Sequence, residues 1–236
     1  MTIKIDALYE NNISPLLFWT NHNNTNNPHR STQTNQHSLK TNQELGIQTP
    51  FARGLQLNLL SPVDEQRKSA ETFINAGYAK HFGAHLAEFS PIILTVKDFF
   101  NNRILGAVGL RYADGQSLFS ENYLSEPIES LLSEKTNQKI KRKQVIELSH
   151  FVVDKNTDVN VVFPMIGQFL KTLDVDWAVY TLSRPIKSAF QRLGIQLTHL
   201  QHAYADAIKV SKTNWGHYYD FKPAVYFSSI LENMNA

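Results

Sequence analysis

A glutamate set among β-branched and aromatic residues is the first place in this sequence where chemistry could be done. Glu147 lies in residues 144–153, QVIELSHFVV, an apolar run free of Gly and Pro that reads as a strand. Alternation with period two puts Glu147 and Ser149 on one face, and Ile146, Leu148 and His150 on the other. A carboxylate in so apolar a strand needs a partner, a water-filled cleft or a task, because removing charge from water is costly. Burial would raise its pKa toward that of a useful general base, taking a proton from an attacking amine directly or through a water. Arg103, Arg111 or backbone donors could equally hold it as a structural group. Glu121, with Tyr123 beside it, sits in a polar stretch before a helix start. It could pair with Glu147 as a second acid, or simply flank the helix at the surface.

Residues 154–160 form a polar turn after the strand, and a helix begins near Asn160. Its apolar face is Val159, Val162, Phe163, Ile166, Phe169, Leu170 and Leu173. Pro164 lacks an N–H and suits the first turn. Such a junction aims backbone N–H groups and the positive end of the helix dipole at one point, so Asn156, Asn160, Val161 and Val162 are candidate anion ligands. Arg111 follows a glycine-containing strand and could hold a phosphate or carboxylate, or be a solvated strand-end charge. Trp215, Tyr218 and Tyr219 read as an aromatic plug on the core, with Trp215 also a candidate substrate contact. His150, opposite Glu147, reads as a core histidine. His81 and His85 are four apart on a helix but have no third ligand in view. His22, His29 and His37 are irregularly spaced in a low-complexity tract, so no metal is expected.

The remaining elements follow from the same patterns. Residues 1–54 hold a short apolar anchor, ISPLLFW, and an Asn/Thr/Gln/His-rich tract that cannot offset its ordering entropy; they read as an arm and linker before one domain, 55–236. Residues 55–60 read as a strand. Ser61 as N-cap with Pro62 next predicts a helix through Ile74, and a second helix carries Tyr78, Phe82, Leu86 and Phe89. Residues 92–96 and 103–112 form an antiparallel hairpin, in which Gly106 and Gly109 mark a bulge or a close approach by another group. Ser125 and Pro127 start a helix with Ile128, Leu131 and Leu132 inward. Residues 175–181 are a buried strand, Ser183 and Pro185 open a helix closed by Gly194, and 195–200 and 223–227 read as strands. The order predicts an α/β fold: one mixed sheet with helices on both faces.

Composition narrows the partners. A net charge of +2 demands neither nucleic acid nor an anionic membrane surface. The absence of cysteine excludes disulfides, thiol nucleophiles and Cys-based metal sites, and fits the cytoplasm. The N-terminus has no uninterrupted apolar h-region, and no window reaches the length of a membrane-spanning helix. Whether the chain forms a homodimer, or touches a membrane, is left open.

Several clusters, taken together and in order, resemble the bacterial thermostable hemolysin family. They are Tyr78-Ala79-Lys80-His81-Phe82-Gly83-Ala84, Leu118-Phe119 with Glu121 and Tyr123-Leu124, Pro127-Ile128-Glu129, Ile146-Glu147, Phe190-Gln191-Arg192-Leu193-Gly194 and Trp215-Gly216 with Tyr218-Tyr219. That family is distantly similar to GNAT acyltransferases and acyl-homoserine-lactone synthases, in which a strand, a phosphate-cradling turn and a helix hold a pantetheine carrier. Glu147-Leu148-Ser149-His150-Phe151 is similar to the acid followed by Ser-Arg-Phe of the lactone synthases, with His150 in place of Arg. The resemblance implies a GNAT-like fold and transfer of an acyl group from acyl-CoA, or from the phosphopantetheine of an acyl carrier protein, to a small amine. The turn holding the carrier phosphate would be that of Asn156 and Asn160; it has no glycine and carries two acids, which leaves room for the carrier protein as donor. Ser149 and Thr181 could donate hydrogen bonds to a thioester oxygen or carrier amide, or simply pack in the sheet, and Tyr218 would act as general acid to the leaving thiolate, a role a tyrosine fills in many GNAT enzymes. Two other functions are open: a membrane-active hemolysin, and a carrier-binding module without turnover.

Overall fold

The computed structural model describes residues 54–209 and 211–232; the arm expected over 1–54 lies, but for Gly54, outside the described residues. Seven strands form one sheet in the order β1-β2-β3-β4-β5-β7-β6. They are β1 (Leu55–Leu60), β2 (Ile92–Asp98), β3 (Ile104–Tyr112), β4 (Val145–Val153), β5 (Trp177–Leu182), β6 (Thr198–His202) and β7 (Ala224–Ser229). Among the described residues four helices accompany them: α1 (Arg67–Phe82), α2 (Ile128–Thr136), α3 (Val159–Lys171) and α4 (Arg184–Arg192). Only β4 and β5 pair in parallel; every other pairing is antiparallel.

Both faces of the sheet are covered, as the mixed pattern requires. On one face, Leu94, Val108, Leu110, Ile146, Leu148 and Tyr180 pack against the apolar stripes of α3 and α4. On the other, α1 packs on Ile93, Ala107 and Val152, while α2 packs near Val145, Val179 and Val225. Gly106 exists for this layering: a Cβ there would stand 2.6 Å from Val162 Cγ1 of α3.

Two helix boundaries differ from the sequence expectation. Ser61 does not cap a helix; its N–H and hydroxyl both bond Asp64 Oδ2 at 2.6 Å in a separate turn, and α1 starts six residues later. Tyr78 and Phe82 belong to that same α1, which stops at Gly83 in the left-handed region (φ 60°), so Leu86 and Phe89 lie beyond it. Pro164 sits inside α3 rather than in its first turn.

Candidate active site

The central feature is where β4 and β5 cease to be partners. Their parallel ladder runs from Val145↔Trp177 to Leu148↔Tyr180 and ends there. Beyond it β4 stays paired only with β3, out to Val153↔Gly106, and β5 only with β7, out to Leu182↔Ala224. Where the strands part, β4 carries a bulge: Gly109 faces Ser149 and Ala107 faces Val152, so Val108 opposes both His150 and Phe151. His150 absorbs the extra residue with a positive φ of 52°.

The bulge overturns the period-two reading of the strand's far half. Phe151 and Val153 join Ile146 and Leu148 on the α3–α4 face. His150 turns instead toward α1, its ring 6.2 Å from Tyr78 and 5.7 Å from Phe89. It therefore lies on the side of Glu147 and Ser149, not opposite them. Its Nδ1 is 3.1 Å from Ser149 Oγ and 3.4 Å from Ser90 Oγ, and the two hydroxyls are 2.7 Å apart. Gly109 leaves the room: a Cβ would come within 2.6 Å of Ser90 Oγ and 2.9 Å of His150 Nδ1. Ser90 is itself fixed by buried Arg67, whose guanidinium donates to the carbonyls of Leu60, Ser90 and Pro91. Burial, with Arg111 and Arg67 nearby, pushes the His150 imidazole down to about 3, so it is neutral at physiological pH.

Glu147 belongs to the paired half and is closed off, with 2% of its surface exposed. Its Oε2 accepts from Phe119 N–H at 2.9 Å and its Oε1 from Ser120 N–H at 2.7 Å, at the start of a 3-10 turn over Phe119–Tyr123. Arg111 Nε, directly across the β3–β4 ladder, lies 3.6 Å from Oε2. Burial raises its pKa, against these hydrogen bonds and the Arg111 charge. The expectation of a general base in contact with substrate is corrected: both oxygens are engaged in pinning the turn to the sheet. Arg111 lies within ion-pair range of Glu147.

Glu121 is also a structural carboxylate, not a second acid. Arg142 grips it with two bonds of 2.7 Å, and the N–H groups of Leu118 (2.8 Å) and Ile128 (3.1 Å) complete its shell. Burial pulls its pKa up, but Arg142 and the two N–H groups together outweigh it and hold it below the usual carboxylate range. Arg142 also binds Glu129 at 2.7 Å, tying the 3-10 turn to α2.

The strand-to-helix turn before α3 is where an anion was expected, and its donors are already taken by the chain's own acids. Asp158 caps the helix, accepting from Asn160 N–H at 2.8 Å, and Asp154 accepts from Asn156 N–H at 2.9 Å. Val161 N–H bonds the Asp158 carbonyl, and Val162 is buried under Gly106. Two carboxylates at this point repel a phosphate, so the expectation that Asn156, Asn160, Val161 and Val162 bind one is corrected.

On the β5 side, the Tyr218 hydroxyl donates to the Thr181 carbonyl at 3.2 Å, just past the last β4–β5 pair. Thr181 Oγ1 is buried without a hydrogen-bond partner among the described residues, as is Trp215 Nε1. Tyr218 stacks on Tyr78, and burial with Tyr78 and Tyr219 nearby raises its pKa well above the ordinary value, so its proton stays on. Trp215 packs between Phe119, Tyr218 and Tyr219, and Tyr123 and Tyr219 share a 2.7 Å hydroxyl contact. The structure thus brings together Ser149, Thr181, Tyr123, Trp215 and Tyr218 on one face, and adds His150, which the sequence reads as a core histidine on the other face, and Ser90, which it does not single out. The glycine at 109 was the available signal. Among the described residues no three His, Cys, Asp or Glu side chains gather as metal ligands.

A mixed seven-stranded sheet that parts at its one parallel pair, with a bulge on the central strand, is the fold of GNAT-like acyltransferases. FeeM, an N-acyl amino acid synthase from uncultured soil microbes, superposes with a TM-score of 0.53 at 13% identity, over 76% of this chain and 92% of that one. The CoA-dependent acyl-homoserine lactone synthase BjaI, solved with SAM and isopentyl-CoA, gives 0.51 at 11% identity, over 77% and 86%. Identities this low carry the architecture alone. No match was found among curated protein sequences. The chain belongs to the thermostable hemolysin family, whose family model matches residues 60–234.

Proposed function

We propose that this protein transfers an acyl group from a carrier thioester, acyl-CoA or the phosphopantetheine of an acyl carrier protein, to a small amine in the cytoplasm. The observation that carries this reading is the end of the β4–β5 ladder at Leu148 and Tyr180. It leaves one edge of each central strand free to bond an extended amide-bearing arm between them. In the reaction the amine nitrogen bonds to the thioester carbonyl carbon, the C–S bond breaks, and one amine proton ends on the thiol through solvent. Tyr218, still protonated and bonded to the Thr181 carbonyl, would leave that carbonyl and hydrogen-bond the departing sulfur. Thr181 Oγ1 and Ser149 would face that arm, and Tyr123 and Trp215 would line the acceptor side. Glu147 acts by positioning, holding the 119–120 turn that carries this aromatic wall. The capped α3 turn supports no phosphate there, which favours a carrier protein, whose single phosphate lies further out.

Octanoyl-CoA and an octanoyl carrier protein, each incubated with the full chain and a mixture of amino acids and amines, test this through free thiol. Release that requires both thioester and amine is expected. A wild-type chain that releases none with either donor sinks the reading. In the same assay Glu147→Gln should lower the rate without removing a limb of its pH profile; loss of the limb would restore Glu147 as the base. The family's description makes lysis the competing reading, and the exposed pair Phe99 and Phe100 between β2 and β3 is where a membrane could be met. Dye leakage from liposomes by the chain alone would favour it. Among the described residues no helix is long and apolar enough to cross a membrane.

A further inference from the structure

In the cluster of Ser90, Ser149 and His150 only Ser149 has a role so far, yet the whole cluster stands where the sheet opens. Its polar hydrogens can be counted. Among the described residues Ser90 Oγ bonds only Ser149 Oγ and His150 Nδ1, and Ser90 is 1% exposed, so its hydrogen is used inside the cluster. If Nδ1 carried a hydrogen, the three hydrogens would have only two acceptors inside the cluster, and one would have to be directed outward through the half-buried Ser149. With Nδ1 as acceptor, Ser90 donates to Ser149, Ser149 donates to Nδ1, and every group is satisfied. The ring hydrogen is then on Nε2.

Nδ1 lies over Gly109 of β3, so the ring's other nitrogen is directed away from β3. Nε2 has no partner among the described residues, and it is not one of the side-chain atoms sealed without one. The ring packs against Tyr78 and Phe89, and its backbone is fixed in a left-handed bulge. A neutral imidazole so clamped is a preorganised hydrogen-bond donor that holds its proton throughout.

We infer that His150 is a catalytic residue, its Nε2–H donating to the carbonyl oxygen of the bound thioester, with Ser149 and Ser90 as positioning residues that fix the tautomer. This rests on the acyl-transfer reading. As the amine nitrogen bonds to the carbonyl carbon, the C=O electron pair moves to oxygen and is met by Nε2–H. The pair returns as the C–S bond breaks, and His150 neither gains nor loses a proton. A permanently neutral donor also means that the rate has no imidazole limb between roughly pH 5.5 and 7.5.

Two measurements on the full chain decide it. In steady-state thiol release, His150→Leu should lower kcat about 100-fold or more with the thioester KM within about threefold. His150→Gln, whose amide N–H falls near the same point, should recover about tenfold. Wild-type kcat in His150→Leu, or a rate that falls as an imidazole protonates, overturns the assignment. Independently of whether the variants fold, nitrogen-15 spectra of histidine-labelled wild type should show the Nε2–H tautomer, and the Nε2–H resonance should move on saturation with a ketone analogue of octanoyl-CoA bearing CH2 in place of sulfur. An Nδ1–H tautomer, or a resonance unmoved at saturation, overturns it. No turnover by the wild type removes the acyl-transfer reading instead, and the spectra still report on His150.

Discussion

The two halves of β4 are built from similar residues and do opposite things. From Val145 to Leu148 the strand is bonded on both edges, and its one charge is met by two backbone N–H groups and a guanidinium. From Ser149 onward it is bonded on one edge, and its polar side chains contact one another in a bulge with a strained residue at its centre. Charge in an apolar strand draws attention to the first half, but a charge so completely partnered marks a joint. The place with chemistry to spare is where the ladder stops. Strain and unused donors together mark function better than charge alone.

That contrast breaks most severely at Glu147. Replacing it with Ala strands two buried N–H groups and Arg111 facing an apolar gap, and should cost about 3–5 kcal/mol. Urea unfolding at neutral pH measures it. A loss below about 1 kcal/mol would mean that the 119–120 turn is held by something else, and the two halves would no longer differ in kind. On the other side of the comparison, Gly109→Ala presses a methyl group onto Ser90 and His150. It should cost up to about 3 kcal/mol and should reduce thiol release more than Gly106→Ala, which crowds Val162 on the far face of the sheet. Equal activity losses in the two variants would remove the special standing of the bulge.

Most strands were legible because apolar runs and alternation report directly on burial: the expected ranges for β1, β3 and β4 fall within a residue or two of the observed ones. The start of α1 was not, because Ser61 spends its hydroxyl on Asp64 in a local turn that competes with capping. The placement of Tyr218 and Trp215 over the sheet was legible only as an aromatic cluster; what docks it is non-local, with His217 N–H on the Phe82 carbonyl and Gly216 packed where no Cβ fits. Period-two alternation puts His150 on the wrong face because it has no term for a bulge. Gly109 announced a close approach, but not which group approached. The α3 turn misled for a different reason. Its N–H groups are arranged as an anion site would be, and side chains two residues before each of Asn156 and Asn160 fill that role.

The half-strand comparison sharpens further with acid. The His150 imidazole is held at about 3 in the fold against 6.5 when free, so it is lowered on folding. Well above pH 6.5 it is neutral in both states and contributes no pH dependence. As pH falls below that, the unfolded chain takes up a proton that the folded chain refuses, and stability drops by roughly 1.4 kcal/mol per pH unit. Between pH 7 and 5 the stability gap between wild type and His150→Gln should therefore shift by about 2 kcal/mol, against the wild type. A gap that does not change with pH would show that the ring protonates freely in the fold.

The smallest expected effect tests the region that the sequence favoured most. Asp158→Ala removes the cap of α3 and should cost about 1 kcal/mol, the usual loss for an N-cap aspartate. It also takes a negative charge away from the Asn160 N–H, making the turn a better anion site than it is in the wild type. If the carrier phosphate sat there, the cap and the ligand would compete, and the variant should bind octanoyl-CoA more tightly, with KM falling severalfold. If the donor is held instead along the parted edges of β4 and β5, KM should stay within about twofold while the helix loses its stability increment. Measured together by thiol release and thermal unfolding, the two quantities separate a turn that serves the helix from one that serves the substrate.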